Sequence, residues 1–257
     1  MKISVVINTY NAEKYLERVL KAVKGFDEIL ICDMYSTDNT IPIAQKYNCK
    51  IIYHENIGYV EPARNYAIQS AKYPWVLIID ADEIVPPALK DYLYKRIQEE
   101  NCLSGIRIPM KNYFMGRFMH CVYPSYLLRF VKKENTYWPS SIHSQPQIKG
   151  KIEVIPSNRK DLAFIHLAND SVSTNIRKTN QYTDNELDNR KNNKYPFWSL
   201  IGETTFRFFK LYILKGGFRD GKAGLTYCGL NAFYKFATIA KIWESRISEN
   251  EIDPELK

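Results

Sequence analysis

No uncharged apolar run in this chain reaches the ~18 residues that a helix needs to cross a bilayer, so no membrane-spanning helix is expected. The opening stretch, Met1 to Asn8, is too short in apolar length for a secretory signal. Cysteine is sparse and odd in number: Cys32, Cys49, Cys102, Cys121 and Cys228, with no Cys-x-x-Cys pair. That spacing argues against a zinc site and against a disulfide framework, and it leaves the thiols as small hydrophobes. There is no Gly-x-Gly-x-x-Gly after the first apolar run and no Gly-x-x-x-x-Gly-Lys-Ser/Thr anywhere. A dinucleotide oxidoreductase and a P-loop ATPase are both disfavoured by these absences. Internal repeats and low-complexity linkers are also lacking. The expectation is a cytosolic chain, peripheral to a membrane if it meets one.

What is present is an ample core and an excess of positive charge. The 257 residues are 45% apolar, carry a net charge of +8 and include 19 tyrosines. One large α/β domain with an appended segment fits that length. A basic, aromatic-rich surface suits nucleic acid, an anionic membrane or a phosphorylated substrate.

The first half alternates in period. Short buried-type strands are predicted at Ile3–Ile7, Glu28–Cys32, Lys50–Tyr53, Trp75–Ile79 and Gly105–Met110. Helical faces lie between them: Tyr15, Leu16, Val19, Leu20 and Val23; then Ile41, Ile43, Ala44 and Tyr47; then Pro62–Ala71; then Leu89, Leu93 and Ile97. Strand–helix alternation predicts a mostly parallel, doubly wound sheet with helices on both faces.

The strand ends carry the chemistry. Trp75-Val76-Leu77-Ile78-Ile79 runs straight into Asp80-Ala81-Asp82-Glu83. Acids at the C-terminal end of a buried strand face the crevice where open α/β sheets bind ligands. Asp80 and Asp82, two apart in extended chain, point the same way and suit a hard divalent cation, which in turn suits a diphosphate. The alternative is an acidic loop capping the helix that begins near Pro86-Pro87. The first strand ends in Asn8-Thr9-Tyr10-Asn11, opening a helix whose free N–H groups would face an anion. Asp33 ends the second strand, placed to accept from a base N–H, while Ser36 to Asn39 read mainly as helix caps. Arg64 is a candidate phosphate clamp.

Together these segments resemble the family 2 glycosyltransferases of GT-A fold. The resemblance continues through Asn112–Arg117, Tyr123-Pro124, Leu128-Arg129, His143, His166 and Gly217–Gly221, where it is similar to the branch containing lipopolysaccharide core glucosyltransferases. It implies an inverting enzyme using a nucleotide-diphospho-sugar, commonly a UDP-sugar, with Mg²⁺ or Mn²⁺. It implies that Thr9, Tyr10, Asn11, Asp33, Arg64 and Asp80 bind the donor, and that Asp82 holds the metal with Asp80 near the ribose or a coordinated water. His166, after the strand-like Leu162–Ile165, is either a further metal ligand or a structural histidine.

The general base is where the sequence departs from that branch, which tends to carry His-Glu at His143-Ser144 and an acid at Ser125. His143 and Glu153 are the two candidate bases, against a structural His143. A non-catalytic nucleotide-sugar-binding or membrane-scaffold subunit is therefore the alternative function.

From Phe206 to Trp243, Arg207, Lys210, Lys215, Arg219, Lys222, Lys235 and Lys241 oppose a single acid, Asp220, amid ten aromatics. Either the segment packs on the core, with Leu225, Cys228, Ala232, Phe236, Ile239 and Trp243 on one buried face, or it meets an anionic membrane. No nucleic-acid motif is present, so a glycan or glycolipid acceptor at a membrane is preferred to nucleic acid. The expected organisation is a glycosyltransferase domain over 1–195, with the donor part at 1–110 and the acceptor and metal part at 111–195, and a helical extension over 196–257.

Overall fold

The computed structural model describes residues 1–99, 103–141, 144–168, 170–190 and 192–247. In chain order the first elements are β1 (Ile3–Thr9), α1 (Glu13–Ala22), β2 (Glu28–Asp33), α2 (Thr40–Lys46), β3 (Lys50–Tyr53), α3 (Glu61–Ser70) and β4 (Trp75–Asp80). There follow β5 (Glu83–Ile84), α4 (Pro87–Arg96), β6 (Leu103–Lys111), β7 (Tyr113–Phe114), β8 (Arg117–Phe118), β9 (Ser125–Lys132), β10 (Thr136–Tyr137), β11 (Gln147–Ile148), β12 (Lys151–Val154) and β13 (Phe164–His166). The helices α5 (Val172–Arg190), α6 (Ser199–Phe209) and α7 (Gly221–Glu244) complete the described chain.

One nine-stranded sheet runs β3-β2-β1-β4-β9-β6-β13-β5, with β12 also pairing β6. The pairs β3–β2, β2–β1 and β1–β4 are parallel, whereas β9 is antiparallel to both β4 and β6. The sheet is thus mostly parallel, as the sequence pattern predicts, with β9 the antiparallel strand at its centre. β1 is buried along its whole length because both faces are covered. Val5, Ile7, Leu77 and Ile79 pack with Leu16, Leu20, Leu89 and Leu93 on one face. Val6, Leu30, Val76 and Ile78 pack with Ala63, Ala67, Ile68 and Trp138 on the other. Each of the helices α1 to α4 presents apolar residues to one of these layers, and the predicted elements of residues 1–99 all form.

The chain divides into two compact units: Met1–Asn112 with Tyr123–Ala168, and Tyr113–Val122 with Asn169–Lys257. The division differs from the 195/196 boundary expected from composition, since α5 and the β7–β8 hairpin group with the later helices. In the second unit Phe114, Met119, Cys121, Ala223 and Cys228 form a small core. On α7, Cys228, Ala232 and Ile239 are buried as expected, but Leu225 and Phe236 are exposed and Ile242 takes the inner position instead. A buried Asp220 holds this unit's hairpin: it accepts from the N–H groups of His120 (3.0 Å) and Cys121 (3.2 Å) and from the His120 ring at 2.6 Å. No helix among the described residues is long and apolar enough to cross a membrane. The four described cysteines are all free.

Candidate active site

Parallel pairing brings four strand ends into line. Thr9 stands opposite Asp33, Asn8 opposite Asp80, and Asp33 opposite Tyr53. Asp33 is wholly buried. Its oxygens accept from the Thr9 hydroxyl (2.7 Å), the Ser36 hydroxyl (2.6 Å) and the Ser36 N–H (2.8 Å). A carboxylate has about four acceptor sites, so one remains, on Oδ1. Asp33 therefore fixes the turn and keeps a single position for an incoming N–H. Beside it Tyr35 and Tyr53 stack at 5.5 Å, both exposed, as is Tyr10.

The start of α1 differs from expectation. Its N–H groups are already taken: Asn11 donates to the Ser36 hydroxyl (2.8 Å), Ala12 to Thr40 (2.8 Å) and Glu13 to Asp38 (3.0 Å). The Asn11 side chain in turn accepts from the Thr37 N–H at 2.8 Å. Ser36 to Thr40 thus cap the neighbouring helix α1 as much as their own, and the predicted free anion-binding amides are absent.

Asp80 sits against two arginines. Arg64 reaches Oδ1 at 2.8 Å and Arg129 reaches Oδ2 at 2.5 Å, while Arg129 also meets Glu83 at 3.3 Å. Burial pushes the Asp80 carboxyl upward, but Arg129 and Arg64 outweigh it and hold the group down at about 2. Burial pushes Glu83 up. With both oxygens of Asp80 engaged, its expected share in metal binding is not what the geometry favours. Asp82 makes no ion pair with an arginine among the described residues: its Oδ2 lies 3.2 Å from Nε2 of His166. The other ring nitrogen faces the Asn112 side-chain oxygen at 3.1 Å, which orients the imidazole. The Asp82 hydrogen bond raises the His166 pKa.

Those two groups pass a test of fit to a divalent cation. A carboxylate and an imidazole offer suitable lone pairs, and both side chains are 29% exposed. No group of three or more His, Cys, Asp or Glu is gathered among the described residues. A cation here would thus complete its coordination from a diphosphate and water, as Mg²⁺ commonly does.

Sequence reasoning missed two members of the site, Arg129 and Trp138. Arg64, Arg129 and Trp138 are at least nine-tenths buried, and Arg64 lies over the Trp138 ring at 4.8 Å. Each retains a buried nitrogen without a hydrogen-bond partner: Nη1 of both arginines and Nε1 of the indole. All three line a cavity of about 170 Å³ together with Ser144 and Gln145. Both polar atoms of the Asn8 side chain are likewise buried and unpartnered. Buried donors without acceptors are costly, so this cluster is built for a ligand rich in oxygen. The available signal was an arginine inside an otherwise apolar strand, which only a buried acid would tolerate.

The proposed bases fare differently. His143 lies outside the described residues. Ser144 donates its hydroxyl to the Pro139 carbonyl at 2.6 Å. Glu153 is not at the site. It stands opposite Ile106 on β6, whereas His166 follows Ile165, which stands opposite Lys111. Five strand residues correspond to roughly 16 Å. Glu153 is bound by Arg96 and by the Tyr92 hydroxyl. Burial raises its pKa, but these partners lower it further, which makes it a poor base. The reason is topological, because β12 pairs with the far half of β6.

Comparison with known proteins agrees with this architecture. The glycosyl transferase family 2 model matches residues 4–147. The chain is 26% identical to the lipopolysaccharide core biosynthesis glycosyltransferase LpsC of Rhizobium meliloti, across 95% of this chain and 93% of that one. It is 26% identical to an uncharacterized glycosyltransferase of Rickettsia conorii, across 98% and 93%. The crystal structure of Staphylococcus aureus TarS 1–349 in complex with UDP superposes with a TM-score of 0.50 at 18% identity, covering 97% of this chain and 93% of that one. The fold is that of the GT-A glycosyltransferases, and the chain belongs to glycosyl transferase family 2.

Proposed function

We propose that this glycosyltransferase moves a hexose, glucose foremost, from a UDP-sugar to a hydroxyl of a lipopolysaccharide-core or lipid-linked glycan, with inversion at the anomeric carbon. The observation that carries the reading is the pairing of Asp82 with His166 just past the end of β4, whose Asp80 binds the two arginines that, with Trp138, keep unpartnered donors. The name of the Rhizobium meliloti relative supports the acceptor class.

Asp33 accepts from the uracil N–H, and Tyr10 with the Tyr35–Tyr53 pair flanks the base. Asn8, Thr9 and Asn11 line the donor-side wall. Asp80 serves the ribose and pins Arg64 and Arg129, whose free N–H groups meet oxygens of the donor. Asp82 and His166 would hold Mg²⁺ or Mn²⁺, which supplies Lewis-acid stabilisation of the leaving diphosphate. His143 takes the proton of the acceptor hydroxyl. The helices of the second unit dock on the inner face of the cytoplasmic membrane, where Phe197, Trp198, Phe206 and Leu214, each more than 60% exposed, meet the interface.

A second reading, a donor-binding subunit without turnover, is favoured by Glu153 being locked away from the site. The test is UDP release from a panel of UDP-hexoses, with Mn²⁺ and with EDTA. Cation-dependent hydrolysis of UDP-glucose is expected. UDP binding without release of any sugar would reject the enzymatic reading.

A further inference from the structure

The second unit contains a cavity of about 600 Å³ whose wall carries Arg190, Arg207, Lys210 and Lys235 against one carboxylate, Glu203. Two of the four cations are spoken for. Lys235 binds Glu203 at 2.6 Å, and Arg190 meets Glu186 at 3.1 Å. Arg207 and Lys210 have no carboxylate partner among the described residues. They are three residues apart, where α6 passes into a π-helical turn at Lys210–Leu214, so they share one side of the helix. A roomy concave wall with two uncompensated cations attracts an anion, and guanidinium with ammonium suits a phosphate.

The surroundings narrow the ligand further. Phe206 lines the cavity, and Phe209, Ile213 and Leu214 on the same segment are exposed. A freely dissolved phosphate gains nothing from those side chains. An amphiphile does, because its headgroup meets the cations while its hydrocarbon covers the apolar ones. We propose that this cavity is a headgroup site for an anionic phospholipid of the bilayer. The inference rests on the membrane reading above and adds a discrete site to it.

The whole chain is tested on vesicles of phosphatidylcholine with and without phosphatidylglycerol. Two double variants remove equal charge, Arg207→Gln/Lys210→Gln inside the cavity and Lys215→Gln/Lys222→Gln outside it. All four residues are exposed, and unchanged UDP affinity checks the fold. The cavity variant should lose about tenfold in affinity for phosphatidylglycerol vesicles, and the outer variant less than threefold. Equal losses would mean a diffuse surface charge and overturn the site while leaving membrane binding intact. A wild-type chain indifferent to vesicles would overturn both. Inorganic phosphate that competes at the same concentration as lipid phosphate would assign the cavity to a soluble anion and overturn the lipid reading.

Discussion

Arg129 is enclosed between Asp80 and Glu83, with 7% of its side chain exposed. Removing one partner of a buried ion pair strands the others, at a cost of about 3–5 kcal/mol. Arg129→Met should therefore lower unfolding free energy by roughly 3 kcal/mol in a denaturant titration. Arg129→Lys should not restore it, since one ammonium lacks the guanidinium fork. A loss below about 1 kcal/mol would show that solvent, not the arginine, stabilises the two acids. Asp82 is the contrasting residue. Asp82→Asn should abolish cation-dependent UDP release while the unfolding midpoint stays close to that of the parent chain. Asp33 has two duties, which two variants separate. Asp33→Ala should weaken UDP binding by roughly 1.5–3 kcal/mol, the scale of a charge-assisted hydrogen bond. Ser36→Ala loosens the same turn but keeps the acceptor, so calorimetry should find its UDP affinity nearly unchanged. Equal weakening in both would mean that Asp33 acts only on the turn.

At the scale of elements, periodicity made most of the donor half legible. β1 and β4 read as unbroken apolar runs because both their faces are covered, and β2 and the half-buried β3 read as shorter ones. β9 was not legible. Its sequence Ser-Tyr-Leu-Leu-Arg-Phe-Val-Lys carries two cations, and the inward one is tolerable only because Asp80 awaits it in space. The site was readable in the same uneven way. Asp33, Asp80 and Asp82 sit where strand ends announce them and Arg64 lies in the first turn of α3, whereas Trp138 follows a short late strand that no period marks. In the second unit, Asp220 ties the β7–β8 hairpin to the start of α7. Burial raises its pKa, but the hydrogen bonds from His120 and Cys121 lower it further. A depressed folded-state pKa stabilises above the unfolded value of about 3.9 and is lost as pH falls through the folded value. Asp220→Asn should thus cost about 1.5–3 kcal/mol at neutral pH and flatten the acid limb of the unfolding curve. An unchanged acid limb would assign that limb to other carboxylates.

For the whole molecule, the excess of cations is the property read most directly from the sequence, and its use is the least legible. Charge counts do not say which cations are neutralised. Lys241 is bound to Asp184 at 2.6 Å and Lys235 to Glu203, so the tail is less basic than its composition suggests. Converting Lys215, Arg219 and Lys222 together to Gln should still weaken binding to anionic vesicles, and added salt should weaken the parent chain likewise. Co-sedimentation insensitive to both would make the helices ordinary packing. The central position of β9 bears on how the chain is made. Its two neighbours, β4 and β6, are both synthesised before it. Until β9 arrives, each presents an open row of backbone N–H and C=O groups, the kind of edge that recruits other chains. A nascent or truncated chain ending at Asn112 would therefore hold Asp80 without Arg129 and expose two sticky edges. For the growing polypeptide, the strand that pairs with both β4 and β6 is also the strand that brings Arg129 to Asp80.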